Sequence, residues 1–174
     1  YNTGTLNIDG GTLALADGQS IRLGQINPAP EGHLNLTSGE ITSATDNTVL
    51  EIGTYGTGFF NQSGGTSTVG TVNLGDQANT VAGTMSISGG VFNVNSSIEM
   101  SDQDDPATLN VGGSGRLNLN GANINMDGTG AEINLNGGIV DFATNCKIQG
   151  AYGNVNIDGG TLMASGATAD TGID

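Results

Sequence analysis

The stretch "TLNIDGGTLAL", Thr5 to Leu15, returns near the other end of the chain as "NVNIDGGTLMA", Asn154 to Ala164. In both copies a triplet with apolar outer residues and a polar middle residue precedes a Gly-Gly pair, and a second short apolar segment follows. Alternation over three to five residues that is interrupted by glycine predicts short β-strands joined by tight turns. The sequence between the two copies contains further versions of the same phrase.

The first triplet of this phrase occurs seven times along the chain. The seven versions are Leu6-Asn7-Ile8, Leu34-Asn35-Leu36, Phe60-Asn61-Gln62, Met85-Ser86-Ile87, Leu109-Asn110-Val111, Ile133-Asn134-Leu135 and Val155-Asn156-Ile157. Their first residues lie 28, 26, 25, 24, 24 and 22 residues apart. Self-similarity at a period of about 20 to 50 residues is typical of solenoid proteins, in which each repeat forms one coil.

Each period also contains a second and a third short strand, as in Leu13-Ala14-Leu15 and Ile21-Arg22-Leu23. The sequence therefore predicts an all-β fold: a right-handed parallel β-helix (β-solenoid) of about seven coils of three short strands, with residues 1–174 as a single domain. Successive coils are expected to stack in register at a rise of about 4.8 Å, so that equivalent apolar side chains form columns in the interior. The Gly-Gly pairs are expected to supply positive φ at a sharp corner.

Composition and charge restrict the partners of the chain. Asp and Glu outnumber Lys and Arg by 17 to 3, which gives a formal net charge of -14. Nucleic acid is therefore not an expected partner, since it is bound through clustered basic residues. Membrane insertion is not expected either, because no apolar run approaches the length needed to span a bilayer. One Cys and one His cannot form a zinc-type cluster.

The middle residues of the first triplets form one candidate site. They are expected to point outward as an exposed ladder of amides: Asn7, Asn35, Asn61, Asn110, Asn134 and Asn156. Such a ladder could bind a flat polar polymer such as a glycan. The structural alternative is that the stacked amides hydrogen-bond to one another and stabilise every coil.

The densest acidic stretch, "SDQDDPA", is the candidate metal site. Clustered carboxylates such as Asp102, Asp104 and Asp105 are the ligands that Ca²⁺ prefers, and calcium is the one cofactor that the sequence suggests. The glycine, the spacing and the terminal Glu of an EF-hand are missing. A solvated acidic loop that opposes aggregation is the alternative.

Catalysis is not predicted. Polysaccharide lyases and hydrolases need paired carboxylates, or a metal site with a basic residue beside it. The candidate bases, His33, Arg22, Arg116 and Lys147, are expected in different coils and away from the acidic stretch. Cys146 has a cation beside it that could favour a thiolate, and the alternative is a small residue packed in the interior.

The rows "GTLNIDGGTLAL", "GTMSISGGVFNV", "AEINLNGGIVDF" and "GNVNIDGGTLMA" resemble the Gly/Asn/Thr-rich repeats of exported bacterial β-helix surface proteins, among them autotransporter passenger domains and adhesins. The resemblance implies a protein located outside the cell or at its surface, with the role of a stalk, adhesin or coat.

Neither end of the sequence reads as a capping helix, so both end coils are expected to be covered by copies of the same protein or by further solenoid. The chain is then a fragment of a longer chain or a filament subunit. The expected function is an extracellular structural scaffold in a filament, stalk or coat built by end-to-end stacking. The alternatives are a glycan-binding adhesin and, with less support, a polysaccharide lyase or hydrolase.

Overall fold

The fold is a parallel β-solenoid, as the repeat predicts. The computed structural model describes residues 3–25, 31–75, 81–101, 105–143 and 145–166, and within them there are 16 strands and no helix. All strand pairs within the sheet are parallel, and each strand pairs with its equivalents in the adjacent coils. The described residues accordingly contain no helix that is long and apolar enough to cross a membrane.

The strands form three faces, which we call the first, second and third face in chain order. The strands of the first face are the first halves of β1 (Gly4–Leu15) and β3 (Gly32–Ser43), then β5 (Gly58–Gln62), β7 (Gly83–Ile87), β9 (Ala107–Gly112), β12 (Ala131–Asn136) and β15 (Asn154–Ile157). The strands of the second face are the second halves of β1 and β3, the first halves of β6 (Thr66–Leu74) and β8 (Val91–Met100), then β10 (Arg116–Leu119), β13 (Ile139–Phe142) and β16 (Thr161–Ala164).

The third face has one strand fewer. Its strands are β2 (Ser20–Leu23), β4 (Val49–Ile52), the second halves of β6 and β8, β11 (Asn123–Met126) and the two-residue β14 (Ile148–Gln149). The described chain therefore completes about six turns, and a seventh coil contributes two faces. The expectation of about seven coils is met to within that partial last turn.

The register superposes the repeated triplets on one another. Leu6 pairs with Leu34, Leu34 with Phe60 and Phe60 with Met85, and the same column continues through the remaining coils. The core consists of such columns from all three faces. Phe60 and Phe92 join the first face to the second, with ring centroids 5.3 Å apart and an edge-to-face angle of 85°. Each large apolar side chain that is buried in this way contributes about 1.5 to 3 kcal/mol.

Two polar side chains that contact each other interrupt the apolar columns of the core, Gln62 on the first face and Ser67 on the second. Gln62 occupies a position where the neighbouring coils have Leu36 and Ile87, and its side chain is buried. Its Oε1 accepts a hydrogen bond from the buried Ser67 Oγ at 2.8 Å, and its Nε2 donates to the carbonyl oxygen of Val91 at 3.0 Å. Because the oxygen and the nitrogen of the Gln62 amide both have hydrogen-bond partners, the Gln62–Ser67 pair is tolerated in the core.

The corner between the first and second faces requires glycine, as expected. Gly39 and Gly90 have φ values of 89° and 74°. A Cβ atom at either would lie 2.3 to 2.4 Å from a carbonyl oxygen of the coil beneath, Gly11 for Gly39 and Gly65 for Gly90. Positive φ and the close approach of stacked backbones together explain why the Gly-Gly phrase recurs.

Candidate functional site

The predicted amide ladder lies on the outer surface of the first face. Asn35 Nδ2 donates to Asn7 Oδ1 at 2.8 Å, and Asn61 Nδ2 donates to Asn35 Oδ1 at 3.0 Å. Farther along, Asn134 Nδ2 donates to Asn110 Oδ1 at 3.1 Å, and Asn156 Nδ2 donates to Asn134 Oδ1 at 2.9 Å. The amides are thus stacked along the solenoid axis and bonded to one another.

Ser86 divides this ladder into two runs. It holds the position between Asn61 and Asn110 in the register, and Asn110 Nδ2 donates to its hydroxyl at 3.3 Å. Among the described residues, no side-chain hydrogen bond joins Ser86 to Asn61. The short Ser86 side chain therefore continues the ladder toward Asn110 but not toward Asn61.

Polar ladders also occur on the other two faces. On the second face, Asn118 Nδ2 donates to Asn93 Oδ1 at 2.9 Å, and Asn93 Nδ2 donates to Thr68 Oγ1 at 3.2 Å. On the third face, Asn125 Nδ2 lies 2.9 and 2.8 Å from the two carboxylate oxygens of Glu99. The middle residues of the second and third strands reveal these ladders only when the coils are superposed.

The acidic candidate site is only partly within the described structure. Asp102 and Asp104 lie outside the described residues, whereas Asp105 is described and buried. In the ranges that the structure describes, no three or more His, Cys, Asp and Glu side chains form a group that could hold a metal ion. A calcium site in this stretch stays a prediction.

The residue before that stretch, Ser101, has an unusual environment. It has a φ of 59°, although it is not glycine, and its side chain is fully buried. None of the described residues forms a hydrogen bond with its Oγ. It follows β8 at the position that glycine holds after the third-face strands of three earlier coils, Gly24, Gly53 and Gly75. Residues on its C-terminal side lie outside the described ranges, so we assign it no site.

Arg22 and Arg116 lie on different faces, as expected, whereas Lys147 directly precedes β14 on the same face as Arg22. Arg22 forms an ion pair with Glu51 on the third face, with Nε 2.9 Å from Oε2. Arg116 forms an ion pair with Asp141 on the second face and donates from Nε to Asn118 Oδ1 at 2.7 Å. Arg22 and Glu51 stand in the same third-face column, and Arg116 reaches Asp141 from two residues before the ladder position on its own strand. Each pair neutralises a carboxylate.

The position of His33 just before the Leu34 triplet predicts a corner residue, and that prediction is wrong. His33 lies within β3 on the first face, because the strand begins one residue earlier, at Gly32. Its ring stacks on Phe59 with the centroids 4.7 Å apart and the planes inclined by 16°, and its Nε2 lies 3.1 Å from Glu31 Oε2. This stack is hard to predict from the sequence, since it depends on a register of 26 residues.

Cys146 is packed in the core rather than exposed beside a cation. Its side chain is fully buried, and Sγ donates to the carbonyl oxygen of Leu119 at 2.9 Å. Burial raises the pKa of the thiol above its ordinary value, which opposes thiolate formation. The packed alternative is therefore the one that fits the structure.

A groove of about 680 Å³ runs beside the second run of the amide ladder. Its lining combines ladder residues with residues of the following corner, including Ser86, Asn110, Asn134, Asn156, Ser88 and Asp158. It is open along the solenoid axis and spans four coils, or about 14 Å at the usual spacing of strands. Apart from Asp158 its polar lining is uncharged.

Comparison with known proteins gives no relative for this chain. No protein-family model, no curated protein and no solved structure matches it. The function is therefore inferred from the geometry of the faces, the groove and the two end coils.

Proposed function

We propose that the chain is an extracellular structural scaffold, part of a surface filament, stalk or coat that is built by end-to-end stacking of solenoids. The observation that carries the proposal is the exposure of column residues at the two end coils. Leu6 is 47% exposed in the first coil and Ile157 is 53% exposed in the last. Their register partners one coil inward, Leu34 and Leu135, are 0% and 1% exposed.

The two end coils complement each other. Within the described residues, β1 pairs only with β3, and β15 pairs only with β12, so each presents one unpaired edge. If the first coil of one copy follows the last coil of another in the same register, Leu6 meets Val155, Asn7 meets Asn156 and Ile8 meets Ile157. Apolar residues then cover apolar residues, and the amide ladder continues across the junction. Head-to-tail contacts of this kind generate open fibres.

The location outside the cell or at its surface is supported by the resemblance of the repeats to those of exported β-helix proteins. The proposal assigns no catalysis to the chain. The ion pairs of Arg22 and Arg116 on separate faces favour a role in the ladders. No observation among the described residues favours the lyase or hydrolase alternative.

End-to-end stacking can be tested with variants that block one end each. Leu6→Asp places a charge on the first coil and Ile157→Asp on the last, so neither variant is expected to assemble alone. An equimolar mixture is expected to form dimers and nothing larger, because one intact first coil meets one intact last coil. Tyr55→Asp is the control, since Tyr55 is 40% exposed at a corner of the second coil, away from both ends.

Sedimentation velocity and electron microscopy at increasing concentration give the readout. The unmodified protein and the Tyr55→Asp variant are expected to form filaments whose length grows with concentration. A protein that stays monomeric at every concentration contradicts assembly from copies of this chain. Filaments formed by either end variant alone contradict the proposed junction.

A further inference from the structure

The outer surface of the first face carries two parallel columns of side chains. One is the amide ladder with Ser86. The other stands two residues earlier on each strand and consists of Thr5, His33, Phe59, Thr84, Thr108, Glu132 and Asn154. Glu132 is the only carboxylate in either column, although the chain carries a net charge of -14. We call this surface the first-face track.

The ladder amides retain hydrogen-bonding capacity after they have bonded to one another. A side-chain amide has two N–H donors and two acceptor lone pairs. In the described part of the chain, Asn35, Asn61 and Asn134 each donate one amide hydrogen, to the preceding ladder residue. A donor and an acceptor site therefore remain in each of these coils, at a repeat of about 4.8 Å. The track presents a periodic row of neutral polar groups.

The stacked rings of His33 and Phe59 flank this row. They lie beside Asn35 and Asn61 on the same strands, and both are half-buried, so part of each side chain is accessible. Because the two rings stack on each other along the solenoid axis, the surface that they leave accessible is apolar ring edge. This edge can pack against the C–H groups of a sugar ring, while the adjacent amides bond to the sugar hydroxyls. In the later coils the groove gives the track a concave wall on the opposite side of the amide ladder, since its lining includes the residues that follow Asn110 and Asn134 in the chain.

We propose that the first-face track binds a neutral glycan that lies along the solenoid axis. Sugar units of an extended glycan follow one another at a spacing close to one coil, so each unit meets an equivalent set of amide groups. Acidic glycans are disfavoured, because Glu132 and Asp158 lie along the track and the whole chain is strongly acidic. This binding activity goes beyond the scaffold role and does not rest on end-to-end assembly.

The test uses cellohexaose and chitohexaose as neutral probes and an oligogalacturonate of the same length as the acidic probe. Binding is measured by isothermal titration calorimetry on the Leu6→Asp variant, which keeps the track while blocking one end. At least one neutral hexamer is expected to bind at one site, and the oligogalacturonate is expected to bind at least tenfold more weakly.

Three further variants locate the site. Phe59→Ala is expected to weaken binding about tenfold, and Phe59→Tyr is expected to restore it, because the aromatic ring and its stack on His33 are retained. Asn110→Ser removes one amide and is expected to weaken binding a few-fold, while Ser86 shows that a hydroxyl is accommodated in the ladder. Tyr152→Ala, at an exposed corner aromatic, is expected to change nothing.

The proposal is overturned if neither neutral hexamer binds at millimolar concentration, if the acidic probe binds as well as the neutral ones, or if Phe59→Ala binds like the unmodified track. Failure of filament formation would leave these measurements unaffected, so the two proposals are tested independently.

Discussion

At the scale of single residues, the structure distinguishes positions that the repeat determines from positions that depart from it. Gly39 and Gly90 could be predicted, because every first corner contains glycine and a sharp bend needs positive φ. Ser101 could not be predicted, because the equivalent glycines emerge only when the third-face strands are superposed, and the segments between those strands vary in length. Its unpartnered hydroxyl is visible only in three dimensions.

Ser101→Gly is expected to stabilise the protein by about 1 to 2 kcal/mol, because it removes a non-glycine residue from positive φ and a buried hydroxyl to which the described residues offer no hydrogen bond. Gly53→Ser, at the equivalent corner two coils earlier, is the matched reverse change. It is expected to destabilise, since a Cβ there would lie 2.6 Å from the carbonyl oxygen of Ala82 at a φ of 79°. Urea denaturation measures both. A Ser101→Gly variant no more stable than the parent would refute this explanation.

At the scale of the strands, the ladders show which outward-facing columns can be predicted from a repeated residue type. The first-face ladder could be predicted because its middle residue is almost always Asn. No one residue type runs through the column on the third face, so the sequence does not reveal that ladder; the column consists of Arg22, Glu51, Asn73, Glu99, Asn125 and Gln149. The repeat assigns Gln62 to a first-face triplet, but its burial with Ser67 cannot be predicted, because it depends on a contact between two faces.

Ser86→Asn is expected to join the two runs of the first-face ladder. An amide at this position can donate to Asn61 and accept from Asn110, which adds one hydrogen bond and about 0.5 to 1 kcal/mol of stability. Thr84→Asn is the control, because it adds the same amide two residues earlier on the strand, outside the ladder. Thermal and urea denaturation of both variants measure the difference. Equal stabilities of the two variants would show that the hydrogen bond added to the ladder contributes little to the stability of the protein.

At the scale of the whole molecule, one relation supports the fold and both proposals. Residues about two dozen positions apart lie directly over one another, so the core columns, the outer ladders and the exposed end coils all follow from the same parallel register. The sequence predicted this relation from the spacing of its triplets. It did not predict the groove or the His33–Phe59 stack, because these depend on what neighbouring coils happen to place side by side.

Engineered disulfides test the register most directly. Thr84 and Thr108 are paired across adjacent strands, where Cα atoms lie about 5 Å apart, within the range that a disulfide spans. Thr84 and Glu132 stand two coils apart, at about 10 Å, which a disulfide cannot bridge. In a Cys146→Ala background, mass spectrometry after mild oxidation is predicted to show an intramolecular bond for the Thr84→Cys/Thr108→Cys protein and none for the Thr84→Cys/Glu132→Cys protein. A bond in the second protein and none in the first would contradict the parallel stacking of coils.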